Sequence, residues 1–180
     1  MNARQVLLFG GIALAILGMS YGLWYAVFAE HQALDGIGRS LSSAFQAAAE
    51  RDSVAADQAL LQYREAKYAY DRQVDVHGHW IGLSMLLIIL AIGADHLALQ
   101  EKWKLRLAWT LFLGCVLFPS GVLLETWSHG VVPKAIAIFG SAMVIAGLAA
   151  MATGFLRAGT GDASAGTVVS RPREAGDTRK

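Results

Sequence analysis

The chemistry open to this 180-residue chain is concentrated in its histidines and the acids beside them. Of five histidines, four lie where an apolar run meets polar sequence. His31 follows the first run, His77 and His79 precede the second, and His129 follows the third. Glu30, Asp75 and Glu125 accompany them, and Glu125 and His129 share a face if their helix continues one more turn. Imidazole suits Cu, Fe, Zn or haem iron, while carboxylates add oxygen ligands or orient a ligating ring. His31, His77, His79, His129, Glu30 and Glu125 are therefore candidate ligands of a transition metal. For haem b the candidates are His79 and His129 first, then His31 and His77. Taken singly, each also has the ordinary reading of a polar tip at a membrane boundary.

A second constellation, Asp95-His96, lies about 24 Å from His79 at 1.5 Å per helical residue. An acid and a histidine inside a span are functional candidates, here for quinone or a proton, or for a second haem at His96. The alternative is that both snorkel to the interface, since Gln100-Glu101-Lys102 is only about a turn away. The single cysteine, Cys115, excludes an intramolecular disulfide and a CxxC pair, and reads as a small buried hydrophobe.

The elements that must position these groups are membrane spans. Hydrophobic residues make up 55% of the chain and charged residues 16%, where soluble domains carry about 25% charge. Four runs reach the roughly 20 apolar residues that a spanning helix needs: 6–29, 80–99, 107–124 and 135–156. The expected fold is all-α, a four-helix transmembrane bundle in residues 1–158. The segment 159–180, rich in Gly, Ser, Thr and charge, reads as a disordered cytoplasmic tail. Three basic residues, Lys102, Lys104 and Arg106, fall in the short connection 100–106, against Lys134 alone in the connection opposite. The positive-inside rule then puts both termini in the cytoplasm and residues 30–76 outside the inner membrane. Cleavage of the first span as a signal peptide after Ala29 is the competing reading, disfavoured by an apolar run longer than the usual 7–15 residues. A net charge of +1 speaks against nucleic acid as a partner. No phosphate-binding glycine loop, G-x-S-x-G or H-E-x-x-H supports kinase or hydrolytic chemistry.

Between the first two spans, residues 32–76 read as a helical hairpin. Leu34, Ile37, Leu41, Phe45 and Ala48 form one apolar face by their spacing of three and four. Val54, Leu61 and Tyr68 recur at seven, flanked by Ala55, Ala59, Ala66 and Ala69. The break falls at Arg51-Asp52-Ser53, with Ser53 as N-cap, and Gly36 and Gly38 loosen the junction with the first span. Small residues on one stripe, Gly11, Ala15, Gly18 and Gly22 in the first span and Gly140, Gly147 and Gly154 in the fourth, predict close helix packing. Tyr21, Trp24, Tyr25, Phe28, Trp80 and Trp127 predict an interfacial aromatic belt. Pro119 predicts a kink that frees the carbonyl of Cys115, with Ser120 placed to compensate.

His77 and His79 are two apart and point about 200° from one another on a regular helix. They serve two centres, or Gly78 distorts the turn. The segment from His77 to Met85 resembles the His-x-His helix in subunit I of haem–copper oxidases. In that family the two histidines ligate two different haems on the electropositive side of the membrane. The resemblance covers nine residues, without the family's copper motif or its dozen spans, and implies only that His77 and His79 are axial-ligand candidates. The expected function is a haem- or metal-binding membrane protein for electron transfer, working with other membrane subunits or a periplasmic redox carrier. The alternative is a non-enzymatic accessory or sensor subunit that docks a partner through its hairpin.

Overall fold

The computed structural model describes residues 1–128 and 130–165 and is helical nearly throughout. In chain order the helices are α1 (Ala3–Phe28), α2 (Glu30–Ala49), α3 (Ser53–Gly93), α4 (Glu101–Leu124) and α5 (Val131–Ala165), with a short 3-10 turn over Ala94–His96. Four of them, all but α2, are long and apolar enough to cross a membrane. Most of their large side chains that face outward are apolar, Phe9, Ile16, Leu23, Ile89, Phe139 and Ile145 among them. That is the surface lipid requires, and it spares the buried seams for helix–helix contact.

Asn2 starts α1 with a reciprocal capping pair: its side chain accepts from the Gln5 amide (2.9 Å) while Gln5 accepts from the Asn2 amide (3.1 Å). At Ala29 the backbone bends away from helical geometry (φ −121°, ψ −34°). Hydrogen bonds bridge the bend, from the Ala29 amide to Tyr25 and from the Ala33 amide to Ala29, so α2 prolongs α1 at a new angle. The junction is therefore at Ala29; Gly36 and Gly38 lie inside regular α2, where propagation outweighs about 1 kcal/mol per glycine.

The hairpin turn is a Schellman closure. The Asp52 amide reaches the Ala47 carbonyl and the Arg51 amide that of Ala48, with Arg51 in the left-handed region (φ 61°). Asp52, not Ser53, caps α3, accepting from the Ala55 amide at 3.0 Å, because the turn delivers its carboxylate to that donor. From there α3 runs unbroken for 41 residues, forming both the second arm of the hairpin and the second span.

The face on which the hairpin closes differs from the one its large apolar residues suggest. Ser40, Ala44 and Ala47 of α2 are buried, as is Ala59 of α3, whereas Leu34, Phe45, Val54 and Leu61 are exposed. Short side chains let the two helices approach closely, and the larger ones are left outside.

Inside the bundle α1 packs on α3, and α4 packs on α1, α3 and α5. The core joins Leu7 and Leu14 of α1, Leu87 of α3, Leu111 and Cys115 of α4, and Val144 and Met151 of α5. Gly114 and Gly121 of α4 meet Gly140 and its neighbours on α5 so closely that a Cβ on Gly121 or Gly140 would fall on opposing backbone. Pro119 is buried within α4, and the Ser120 hydroxyl donates to Val116 O (2.7 Å) rather than to the Cys115 carbonyl.

Several boundaries shift. The second span ends as a helix at Gly93 rather than residue 99, and α4 begins at Glu101, so Lys102, Lys104 and Arg106 occupy its first turns. Residues 159–165, read as tail from their composition, continue α5, since adding residues to an existing helix end costs little. The rest of that segment, 166–180, lies outside the described residues.

Candidate functional site at the hairpin end

The helix ends that carry the hairpin bring several candidate residues to one level and then turn them in different directions. Gly78 does not distort α3, which is helical through this segment, so His77 and His79 leave it on different sides. The His79 ring lies against Phe118 of α4, with centroids 4.7 Å apart. His77 faces α1.

The seat of His77 is specific. Its ring lies on Gly22, where any Cβ would overlap it, and its Nδ1 is 2.9 Å from the carbonyl oxygen of Gly18. A carbonyl only accepts, so Nδ1 carries the proton. In the neutral ring Nε2 is then the acceptor, the tautomer in which a histidine ligates a metal or receives a ligand's hydrogen bond.

A cleft of about 280 Å³ opens beside this ring, and a second of about 310 Å³ adjoins it through shared walls, both between the α1–α2 bend and α3. Tyr25, Tyr70 and Gln73 wall both; Gly22, Glu30 and His77 complete the first, and Gln32 and Gly36 belong to the second. Tyr25 is 8% exposed. Its hydroxyl, the Tyr21 hydroxyl, Gln73 Oε1 and the indole N–H of Trp80 are buried with no hydrogen-bond partner among the described residues. Tyr21, Tyr25 and Trp80 thus form an internal cluster, with Trp80 edge-on to Tyr21 at 5.3 Å. The exposed aromatics of the expected belt are Trp24, Phe28 and Trp127.

Glu125 belongs to a different constellation. Nearly buried at the end of α4, it accepts from the Tyr68 hydroxyl (3.0 Å) and pairs with Arg72 (3.5 Å), which also approaches Asp75 (3.8 Å). The hydrogen bond to Tyr68, then the charges of Glu125 and Asp75, push the proton affinity of Arg72 further up. This carboxylate is committed to tying α4 to α3. The chain turns after Leu124, so the extra helical turn that would align Glu125 with His129 is not formed. His129 itself lies outside the described residues. His31 is almost fully exposed and paired with Asp35 one turn on (3.5 Å).

Of the proposed metal ligands among the described residues, Glu30 and His77 line one cleft, while His31, His79 and Glu125 are engaged elsewhere. Among the described residues no three His, Cys, Asp or Glu side chains are placed to hold a metal ion. Common depth set the expectation, but rotation about each helix axis decides whether side chains meet, and here it leaves only Glu30 and His77 in one cleft among the described residues. At the opposite end, Asp95 and His96 sit exposed in the 3-10 turn, and Asp95 pairs with Arg4 at 3.2 Å. That is an interfacial ion pair, with neither residue enclosed within the bundle.

Sequence reasoning read Tyr25 as part of an interfacial belt and passed over Tyr70, Gln73 and Arg72. A signal existed: Ala66, Tyr70, Gln73 and His77 are spaced four, three and four, one face of α3 carrying hydrogen-bonding groups down to the histidine. Compared with protein-family models, curated proteins and solved structures, the chain matches none.

Proposed function

We propose that this chain is a membrane subunit of an electron-transfer assembly and binds its redox-active group at the hairpin end through His77. The supporting observation is the His77 seat: Nδ1 anchored to the Gly18 carbonyl, Nε2 free to accept, and a cleft walled by that residue. The proposal puts the hairpin outside the inner membrane and both termini in the cytoplasm, following the basic residues at the start of α4. Haem b, a transition metal and quinone are the groups weighed. For either of the first two, the described residues contribute a single imidazole on each side of α3, and His129 or a partner subunit supplies the remaining ligands.

The test is extraction of detergent-purified protein for haem, metals and quinones, with an oxidised-minus-reduced spectrum on the same sample. One of the three is expected at a stoichiometric level in the wild type and depleted in His77→Ala. A folded wild type containing none of them defeats the reading.

A second reading, an accessory subunit docking a partner through the hairpin, is favoured by Leu34, Phe45, Val54 and Leu61, exposed beyond the spans. Phe45→Ser with Leu61→Ser then abolishes partner co-purification and leaves any bound group in place.

A further inference from the structure

We infer that the cleft between the α1–α2 bend and α3 binds the hydroxyl-bearing ring of a lipid-borne quinol, recognised by Tyr25, Gln73 and His77. This rests on the reading above and narrows it, selecting one of the three groups and its reduced form.

Hydrogen-bonding capacity comes first. Buried polar atoms without partners are rare in folded proteins, and such an atom belongs to each of two residues that wall both clefts, Tyr25 and Gln73. Gln73 accepts at Oε1 and donates at Nε2, whereas His77 Nε2, with Nδ1 spent on Gly18, and the Glu30 carboxylate only accept. The Tyr hydroxyls act either way. Two of these groups only accept and none only donates, so the wall favours a ligand that donates, as the two O–H groups of a hydroquinone do and the two carbonyls of the quinone do not.

Size and place agree. Clefts of about 280 and 310 Å³ lie at the small end of ligand pockets, suited to a single substituted ring rather than a porphyrin. No three metal-ligating side chains gather there among the described residues. The cleft opens where α1 leaves its apolar span, with Ala26 and Val74 in its wall and Trp24 and Phe28 exposed beside it. A ring entering from the bilayer would keep its apolar tail in lipid.

The experiment uses full-length protein in phosphatidylcholine nanodiscs, a lipid whose headgroup carries no N–H or O–H donor. Binding of a short-chain benzoquinol is measured by anaerobic equilibrium dialysis and compared with its quinone. The expected result is saturable binding, with the quinol about tenfold tighter than the quinone, weakened about tenfold by Tyr25→Phe, Gln73→Leu and His77→Ala. Thr153→Ala, exposed on α5 at the opposite end of the bundle, leaves it unchanged. Tyr25→Phe removes one oxygen, so the test survives a misfolded His77→Ala. Equal affinity for quinol and quinone overturns the donor-to-acceptor assignment. Loss of quinol binding in phosphatidylethanolamine nanodiscs assigns the acceptors to a lipid ammonium headgroup and also overturns it. If benzoquinol fails to bind while the protein carries haem or metal lost in His77→Ala, this inference falls and the electron-transfer reading stands. If nothing binds, both fall.

Discussion

Two helix pairs in this bundle use glycine in the same way and arrive at different ends. Along α4 and α5, Gly114, Gly121 and Gly140 bring the helices into backbone contact, Gly147 receives the Leu111 side chain, and the side chains filling the seam, Leu111, Val144 and Met151, are apolar. Along α1 and α3, Gly11 rests on the Ser84 carbonyl and Ile88, and Gly18 on Trp80 and Ile81. Gly22 then admits the imidazole of His77, and beyond it the helices part into a cleft. The small-residue stripe is a packing device in both pairs. What makes one of them a candidate site is the residue opposite the last glycine, and the bend at Ala29 that opens space above it.

Substitutions can break this comparison, and the largest effect is expected in the closed seam. Gly140→Val drives a side chain into the backbone at Phe118 and should cost about 3 kcal/mol, read from unfolding in a mixed-micelle titration. A cost below about 1 kcal/mol would mean that the α4–α5 contact is not the tight one described. Gly22→Ala should cost less, about 1–2 kcal/mol, because the displaced group is a side chain that can rotate away at the loss of one hydrogen bond. Combined with His77→Ala, most of that penalty should vanish, and simple additivity in the double-mutant cycle would show that the two residues do not interact.

Arg72→Ala tests the neighbouring ion pair. It leaves the nearly buried Glu125 with only Tyr68 and should lower stability by about 1–2 kcal/mol, a figure discounted for the partial exposure of Arg72. Arg72→Ala with Glu125→Gln should recover part of the loss. The smallest effect is a gain: Arg51→Gly relieves a non-glycine residue from left-handed geometry and should stabilise the hairpin by about 1 kcal/mol, seen as a rise in thermal midpoint. None of these outer substitutions should alter occupancy of the His77 cleft.

The legible parts of the molecule were those written in one dimension. Four apolar runs specify four spans because lipid tolerates no unsatisfied backbone, and only helices of that length satisfy it. Gly140, Gly147 and Gly154, seven apart, mark a seam that the structure uses. The 200° separation of His77 and His79 follows from helix geometry and holds. The hairpin was readable as a hairpin, and Ile37, Leu41, Tyr68 and Ala59 of the expected faces are at least half-buried, but Leu34, Phe45, Val54 and Leu61 are exposed, because closeness of approach favours Ser40, Ala44, Ala47 and Ala59 at the centre of the contact.

What the linear order left undetermined was rotation and partnership. It puts His31, His77, His79, Glu30 and Glu125 at a common depth, since depth follows from counting residues along a span. Whether they meet depends on the azimuth of each helix, which is set by contacts with residues far away in the chain. Gly22 decides where His77 lies, Phe118 where His79 lies, and Arg72 and Tyr68 where Glu125 lies. The sequence by itself thus determined a four-span helical membrane protein with polar groups gathered at one end. Only tertiary packing turned most of them apart, committed Glu125 to an ion pair, and left His77 beside Tyr25, Gln73 and Glu30 as the candidate site, because side-chain proximity across helices is a property of their contacts and not of any one of them.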